Sequence, residues 1–222
     1  MIRSSIRSLV SKICEDPAQT KFTAAAYNEA IDLAQKQFAF DSKALYKDLG
    51  ITMVDGTGAY SLPTDFMYEK GVVLNGIPLD PISRATLEAN KKSDRWDDDR
   101  GTPKYFIIDP EEARKTITLY PIPDSVNDGT NIVLTYYPYP AEMSADSSLP
   151  LNGSTLMVQF HTGIANQAAW QLLQYVTQTA EIAQKRSECL SIYLNKVADA
   201  IQTFGNTKSE AIRFHVENVR VR

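Results

Sequence analysis

The first 50 residues carry apolar side chains at helical spacing and predict two main helices. Along the first helix the apolar stripe consists of Ile2, Ile6, Leu9, Val10 and Ile13. It ends at Asp16-Pro17, because the residue before a proline is disfavoured in the helical conformation. Thr23 is a suitable N-cap for the second helix, whose buried face consists of Tyr27, Ala30, Ile31, Ala34 and Phe38. A short third helix is predicted from about Ser42 to Leu49, ended by Gly50.

Between residues 51 and 140 the apolar period falls towards two, which is typical of strands. Asp55-Gly56 predicts a turn between strands at 51–54 and 59–62. Asn75-Gly76 predicts a second hairpin, because a type I′ turn requires positive φ at both central positions. The strands of that hairpin are 67–74 and 77–79, further strands are predicted at 104–109, 115–120 and 130–137, and a short helix is predicted at 83–90. This block is therefore predicted to be an antiparallel sandwich or small barrel.

After a loop at 138–150, two long helices are predicted at about 154–177 and 179–204, and Gly205 ends the second. The packed side of that second helix is predicted to consist of Ile182, Cys189, Tyr193, Val197, Ala200, Ile201 and Phe204. The expected fold class is α+β. Residues 1–50 and 151–205 would form a helical bundle, 51–150 an inserted antiparallel β-sandwich or barrel-like domain, and 206–222 an extended C-terminal arm.

The last 17 residues alternate in the manner of an amphipathic strand that has no neighbouring strand in sequence. The apolar positions are Ile212, Phe214, Val216, Val219 and Val221, and the polar ones between them are Arg213, His215, Glu217, Arg220 and Arg222. A frayed terminus is one interpretation. A frayed tail has no need of β-branched and aromatic alternation, so we favour a docking arm that adds a strand to a partner or lies along it.

The composition excludes several classes of protein. The 222 residues are 43% hydrophobic, which excludes disorder over the whole chain. The 27 acidic residues against 23 Lys and Arg give a net charge of −4, unlike a surface that grips nucleic-acid phosphates. Two cysteines exclude a disulfide framework and a four-cysteine zinc site. Without a long apolar run or a signal-peptide core, we expect a soluble protein of a reducing compartment.

The sequence offers little catalytic chemistry. The two histidines are His161, which falls inside a predicted helix and is interpreted as a packing residue, and His215. Catalytic and phosphate-binding motifs are absent, and the glycines at 56 and 58 precede a strand rather than a helix. Asp94 and Asp97–Asp99 do not match the spacing of a calcium loop, so a solvated loop or an interface rim is favoured. No cofactor and no metal site are predicted.

Aromatic residues concentrate in the β block. They are Tyr60, Phe66, Tyr68, Trp96, Tyr105, Phe106, Tyr120, Tyr136, Tyr137 and Tyr139. A platform that binds sugars or bases is one interpretation. Cores and subunit interfaces also favour Tyr and Trp, and that interpretation is preferred.

A series of short motifs in the β block then supports a resemblance. The series is Tyr60-Ser61-Leu62-Pro63-Thr64-Asp65-Phe66, Trp96, Gly101-Thr102-Pro103-Lys104-Tyr105, Leu119-Tyr120-Pro121-Ile122-Pro123 and Leu134-Thr135-Tyr136-Tyr137. Flanked by an N-terminal helical block with Tyr27-Asn28-Glu29-Ala30 and by a C-terminal helix pair, it resembles the bacteriophage head-to-tail adaptors, also called connector or tail tubular proteins. The resemblance spans roughly residues 5 to 205.

The resemblance implies a structural virion protein rather than an enzyme. Such adaptors are made in the host cytoplasm and form a homo-oligomeric ring, usually twelve-fold, beneath the portal protein. The ring carries the tail or nozzle protein on its other face, and DNA passes through the channel without specific binding. An acidic protein would repel phosphates and let the strand slide. No membrane partner is implied.

The residues expected to act in assembly lie in two segments. The arm is expected to bind the portal through the apolar residues Ile212, Phe214, Val216, Val219 and Val221 and the basic residues Arg213, Arg220 and Arg222. A loop with Trp96, Asp97, Asp98 and Asp99 is expected to touch a neighbouring copy or the tail. Two other functions remain open: a carbohydrate- or receptor-binding tail module on the aromatic β block, and a metal-dependent hydrolase using Asp94–Asp99.

Overall fold

A computed structural model describes residues 1–90, 98–108, 116–153 and 155–205. The chain divides into two compact units. The helical unit consists of residues 1–45 and the chain from Pro140 onwards, and the β unit consists of Tyr46–Tyr139. The helices and the barrel-like sheet confirm the predicted α+β fold class. In the part of the chain that is described, no helix is both long and apolar enough to cross a membrane.

The described residues form five α-helices and seven strands. The helices are α1 (Arg3–Ile13), α2 (Ala24–Ser42), α3 (Arg84–Asn90), α4 (His161–Leu173) and α5 (Ala180–Gly205). The strands are β1 (Lys47–Thr52), β2 (Ala59–Ser61), β3 (Phe66–Leu74), β4 (Ile77–Pro81), β5 (Tyr105–Ile108), β6 (Thr116–Tyr120) and β7 (Asn131–Pro138). Short 3-10 turns at Leu151–Gly153 and Thr155–Phe160 precede α4.

Helix α4 forms the centre of the helical unit and packs against α1, α2 and α5. It is buried around most of its circumference, as expected of a helix with few charges and many small residues. At Gly163 the approach to α5 is so close that an added Cβ would lie 2.8 Å from the Cβ of Lys196. Glycine at this position therefore sets the distance between α4 and α5.

Helix α2 forms as its sequence predicts. The hydroxyl oxygen of Thr23 accepts a hydrogen bond from the Ala26 amide at 3.2 Å, which confirms it as the N-cap. The five residues predicted for the buried face are all buried. The helix ends where Lys43 adopts a left-handed conformation with φ of 52°.

Two helix predictions are wrong in detail. Residues 47–52 form strand β1 instead of the end of a short helix, because Lys43 has already turned the chain and Gly50 pairs across the sheet with Val133. The first of the C-terminal helices begins at His161 rather than near 154, after the 3-10 turn. On α5 the predicted packed side is correct at Cys189, Tyr193, Val197 and Ala200, but Ile201 is 48% exposed.

The strands of the β unit form one barrel-like sheet in the order β1-β7-β3-β4-β5-β6-β2. The predicted Asn75-Gly76 hairpin is confirmed: Leu74 pairs with Ile77, and Asn75 and Gly76 have φ of 49° and 81°. The core between the strands contains Ile117, Leu119, Ile132 and Leu134, all fully buried, with Met53, Val72 and Phe106 beside them.

The predicted hairpin at Asp55-Gly56 is wrong. Strands β1 and β2 lie at opposite edges of the sheet, where β1 pairs with β7 and β2 pairs with β6. A local turn does exist, since the Thr57 amide donates to the Val54 carbonyl, but it leads the chain from one edge to the other. The sheet is also not wholly antiparallel, because α3 lies in the crossover between β4 and β5 and these two strands are parallel.

Candidate interaction surfaces

Side chains of the motif at residues 60–66 form contacts inside the β unit. The Tyr60 hydroxyl donates to the Thr57 carbonyl at 2.7 Å and accepts from the Val54 amide at 3.0 Å. The ring of Phe66 packs against that of Tyr136, with centroids 5.7 Å apart. These contacts fix the loop that leads into β2 and the start of β3.

Asp65, in the same motif, joins three parts of the β unit. Its carboxylate accepts from Lys47 Nζ at 2.6 Å and from the Tyr136 hydroxyl at 3.0 Å, and its carbonyl accepts from the Tyr139 amide at 2.7 Å. Burial raises the pKa of this carboxyl, but the hydrogen bonds from Lys47 and Tyr136 outweigh it and hold the pKa below its usual range. Burial and the same carboxylate raise the pKa of Tyr136 to about 12. Asp65 is therefore a structural anion.

The acidic loop predicted as a contact site is described only from Asp98 onwards, and Trp96 and Asp97 lie outside the described residues. Asp98 is exposed, whereas the Asp99 carboxylate accepts from the Tyr120 hydroxyl at 2.6 Å. The Asp99 carbonyl also accepts from the Ile122 amide at 2.8 Å. Asp99 thus holds its own loop in place, while Asp98 remains at the surface.

Arg100 connects this loop to the turn that follows β1. Its guanidinium lies 3.3 Å from Asp55 Oδ1 and covers Gly56, where an added Cβ would come within 2.9 Å of it. Within the described ranges, no group of three or more His, Cys, Asp or Glu side chains is arranged to hold a metal ion.

The aromatic residues of the β unit differ in their burial. Phe66, Phe106, Tyr120 and Tyr136 are buried, as the core interpretation predicted.

Tyr68 and Tyr137 lie side by side instead, on the other face of the sheet from the core, with centroids 4.7 Å apart. Lys70 Nζ lies over the Tyr46 ring at 4.3 Å and also faces Tyr137. The faces of these rings are engaged by each other and by a lysine, which differs from the open coplanar platform that a sugar site requires.

His161 begins α4 and is 1% exposed. Its Nδ1 lies 2.6 Å from the amino nitrogen of Met1, and its buried Nε2 has no hydrogen-bond partner among the residues that the structure describes. Burial and the nearby positive charge lower its pKa from 6.5 to about 4. The packing role predicted for His161 is therefore consistent with its burial and with the neutral ring.

Buried polar side chains hold the loops of the helical unit. The Asp16 carboxylate, 2% exposed, accepts from the amides of Thr20, Lys21 and Phe22 and from the Tyr27 hydroxyl, at 2.7 to 3.1 Å. Although burial opposes it, these hydrogen bonds hold the pKa of Asp16 well below its usual range. The turn between α1 and α2 is closed around this carboxylate.

Gln35, fully buried on α2, forms hydrogen bonds with the segment at 140–151, which follows the β unit in sequence. Its amide nitrogen donates to the Ala141 carbonyl at 3.0 Å, and its amide oxygen accepts from the Leu151 amide at 3.1 Å. Nearby, the Arg7 guanidinium forms a two-pronged contact with Asp146, both distances being 2.9 Å. The segment at 140–151 is thereby fixed to α1 and α2.

Among the described residues, apolar side chains at the surface of the helical unit group together on α5 and beside α2. On α5 they form a stripe, which we call the α5 stripe: Ala183, Leu190, Leu194, Ala198 and Ile201. Beside α2 lies an open groove of about 380 Å³, the α2 groove, lined by Phe22, Ala26, Glu29, Ala30, Leu33, Gln171, Leu172 and Tyr175. Leu194 and Leu33 are 53% and 50% exposed, and Tyr175 is 84% exposed.

With this geometry established, comparison with known proteins identifies the family. The profile of the SU10 adaptor protein family matches residues 2–211, which covers nearly the whole chain. The chain belongs to the SU10 adaptor protein family. The comparison with curated proteins gives no match. The resemblance to phage adaptors that the motifs indicate is confirmed.

An SU10 adaptor protein is a structural component of a bacteriophage virion and interacts with other phage head and tail proteins. Of the predicted contact residues in this adaptor, Asp98 and Asp99 are described, and the arm residues Ile212–Arg222 lie outside the described residues. The α5 stripe and the α2 groove were not predicted from the sequence as candidate surfaces. A signal for the stripe was present, because positions 183, 187, 190, 194, 198 and 201 repeat at three- and four-residue intervals.

Proposed function

We propose that this adaptor forms a ring, twelve-fold by analogy with the head-to-tail adaptors that it resembles, beneath the portal protein. In this arrangement one face of the ring binds the portal and the other carries the tail or nozzle protein. DNA passes through the ring without specific binding. The observation that carries the proposal is the family match over residues 2–211.

The C-terminal segment is the part proposed to bind the portal. Its alternation of apolar and basic residues suits an extended peptide that supplies side chains to pockets and main-chain groups to a partner. Arg213, Arg220 and Arg222 would meet acidic groups on the portal. Asp98, with Trp96 and Asp97, is proposed to contact a neighbouring copy or the tail.

The net charge of −4 supports a channel that does not hold DNA. Phosphates are repelled by acidic surfaces, so a strand that moves through such a channel is not retained. The proposed role is structural and requires no catalytic step.

The proposal is tested by incubating the full chain with the portal ring of the same phage. We expect a second ring stacked on one end of the portal in negative-stain images, together with faster sedimentation of the complex. The count of subunits in that ring gives its symmetry. A chain that remains a monomer beside an unmodified portal would contradict the proposal, and a glycan screen would then test the binding-module alternative.

A deletion of residues 206–222 tests the arm separately. The truncated chain should keep the circular-dichroism spectrum and unfolding midpoint of the full chain but should no longer bind the portal. The matched control replaces Ser209 and Asn218, two polar arm residues, with alanine and should bind normally. Replacement of Ile212, Phe214 and Val216 with serine should abolish binding, and normal portal binding by the truncated chain would refute the arm.

A further inference from the structure

The α5 stripe lies within a face of α5 that carries no charge. At 3.6 residues per turn, the residues from Ala183 to Gln202 that share this face cover roughly 140° of the helix surface. Beside the five stripe residues, the face contains Gln184, Ser187, Ser191, Asn195 and Gln202. Every charged residue of α5 lies elsewhere on the helix. Depletion of charge around an apolar centre is typical of the core of a protein interface.

The other apolar wall of α5 is already occupied. Cys189, Tyr193, Val197 and Ala200 are buried and face α4 and its neighbours. The α5 stripe is rotated from this wall by about a quarter of a turn. It is therefore a second apolar surface, separate from the packing of the helical unit.

The α2 groove is similar in character. Seven of its eight lining residues are uncharged, and Glu29 is the exception. Leu33 and Tyr175 are exposed at its edges, and Ala30 and Leu172 form its floor, each 5% exposed. A ridge of leucine, alanine and isoleucine side chains suits a groove with an apolar floor and larger side chains at its edges.

We propose that the α5 stripe of one copy packs into the α2 groove of the next copy. This inference rests on the proposed ring and identifies the surfaces through which its subunits meet. Two different patches on one unit fit a heterologous contact, in which each copy offers α5 to one neighbour and α2 to the other. A two-fold dimer through either patch would leave the other patch of both copies exposed to water.

The contact is too small to hold two copies together by itself. The α5 face is about 30 Å long and about 10 Å wide, a footprint of roughly 300 Å². A stable pair of proteins buries about 800 Å² on each partner. One such contact is weak, but a closed ring holds every copy at two of them, and a partner that gathers the copies raises their effective concentration.

Cysteine cross-linking in phage particles tests the pairing. Leu33→Cys and Leu194→Cys are placed in one chain, and purified particles are oxidised and run on a denaturing gel without reductant. The native Cys14 and Cys189 are buried and free. We expect a ladder of covalent multimers of the adaptor from the double variant and none from either single variant. In the proposed contact, residue 33 of one copy lies beside residue 194 of the next copy, and two residues with the same number are never in contact.

A charge substitution gives an independent readout. Leu194→Glu should reduce the adaptor content of purified particles about tenfold, because it buries an unpaired carboxylate in the contact. Ile192→Glu is the matched control: Ile192 is 43% exposed on the same helix but lies outside the uncharged face. Its adaptor content should stay within about twofold of the parent.

The outcomes separate this inference from the proposed function. If particles contain the adaptor but give no ladder of multimers linked through residues 33 and 194, the pairing of the α5 stripe with the α2 groove is wrong, and the proposed ring is unaffected. Dimers from the Leu194→Cys single variant would indicate a two-fold contact between α5 stripes and would likewise contradict the pairing. A cross-link from position 194 to another virion protein, or to a second position within the same chain, assigns the α5 stripe to that occupant instead. Particles that lack the adaptor altogether contradict the proposed function, and the pairing fails with it.

Discussion

The helical unit and the β unit use their polar and apolar side chains differently. In the β unit, exposed apolar residues such as Ile77 and Val126 lie apart in sequence on different strands and loops, and the motif residues Tyr60 and Asp65 are bonded within the unit. In the helical unit, polar side chains close the loops from inside, and exposed apolar residues align along α5 and beside α2. The motif residues of the β unit therefore maintain the fold of that unit, while the α5 stripe and the α2 groove lie on the helical unit.

The strongest test of this comparison is Asp16→Ala in the helical unit. The substitution leaves three backbone amides and the buried Tyr27 hydroxyl without their acceptor, so we expect a larger loss of stability from it than from any of the variants below. The readout is the midpoint of urea unfolding followed by circular dichroism.

The matched variant is Asp65→Ala in the β unit, whose carboxylate has two side-chain partners and is 30% exposed. Its midpoint should fall less than that of Asp16→Ala, because it leaves two donors instead of four unpaired and one of them, Lys47, is exposed to water. An equal or larger fall for Asp65→Ala would contradict the contrast between the units.

Gly163→Val tests the close approach of α4 and α5. The new side chain collides with Lys196 and approaches the Phe38 ring, so we expect a loss of about 2–3 kcal/mol in the free energy of unfolding. Gly50→Val is the control in the β unit, where nothing lies within 4 Å of the added Cβ and valine suits a strand. Calorimetry that shows equal losses for the two variants would refute the tight crossing.

Acid should weaken the helical unit through His161. Its pKa is about 4 in the folded chain and 6.5 as an ordinary histidine, so below pH 6.5 the unfolded chain binds more protons. Stability conferred by the neutral ring is complete above pH 6.5 and falls by roughly 3 kcal/mol as the pH approaches 4. In His161→Gln the difference in unfolding free energy between pH 7 and pH 4.5 should shrink accordingly, and an unchanged difference would exclude the histidine as its source.

The smallest effect is expected at the hairpin of the β unit. Gly76→Ala places a side chain at φ of 81° and should cost about 1 kcal/mol of unfolding free energy. Gly71→Ala, on the same strand pair with open space and no positive φ, should change it less. Thermal unfolding of the two variants distinguishes a conformational requirement from a packing one.

The sequence predicted features that depend on neighbouring residues. Asn75-Gly76 places two positive φ angles in succession and so determined its hairpin, and Thr23 followed by apolar residues at helical spacing determined the start of α2. Asp55-Gly56 offered the same local signal, but the strands on either side pair with β6 and β7. Which strands become neighbours depends on contacts distant in sequence, and the local pattern does not contain them.

The same limit applies to the candidate surfaces. The sequence of α5 has apolar residues on more than one side, and its periodicity does not say which side meets α4. The structure separates the buried set, with Tyr193 and Val197, from the exposed set, with Leu194 and Ile201. Ile201 was predicted on the packed side for this reason.

The neighbouring positions of β1 and β7 have a consequence for how the chain folds. The β unit begins at Tyr46, just before β1, and ends at Tyr139, just after β7, and these strands pair along their length. Once the β unit has formed, the two halves of the helical unit are tied at strands about 5 Å apart instead of being separated by a flexible loop of about 90 residues. This closure corresponds to roughly 4 kcal/mol of chain entropy. Folding of the β unit first should therefore accelerate assembly of the helices.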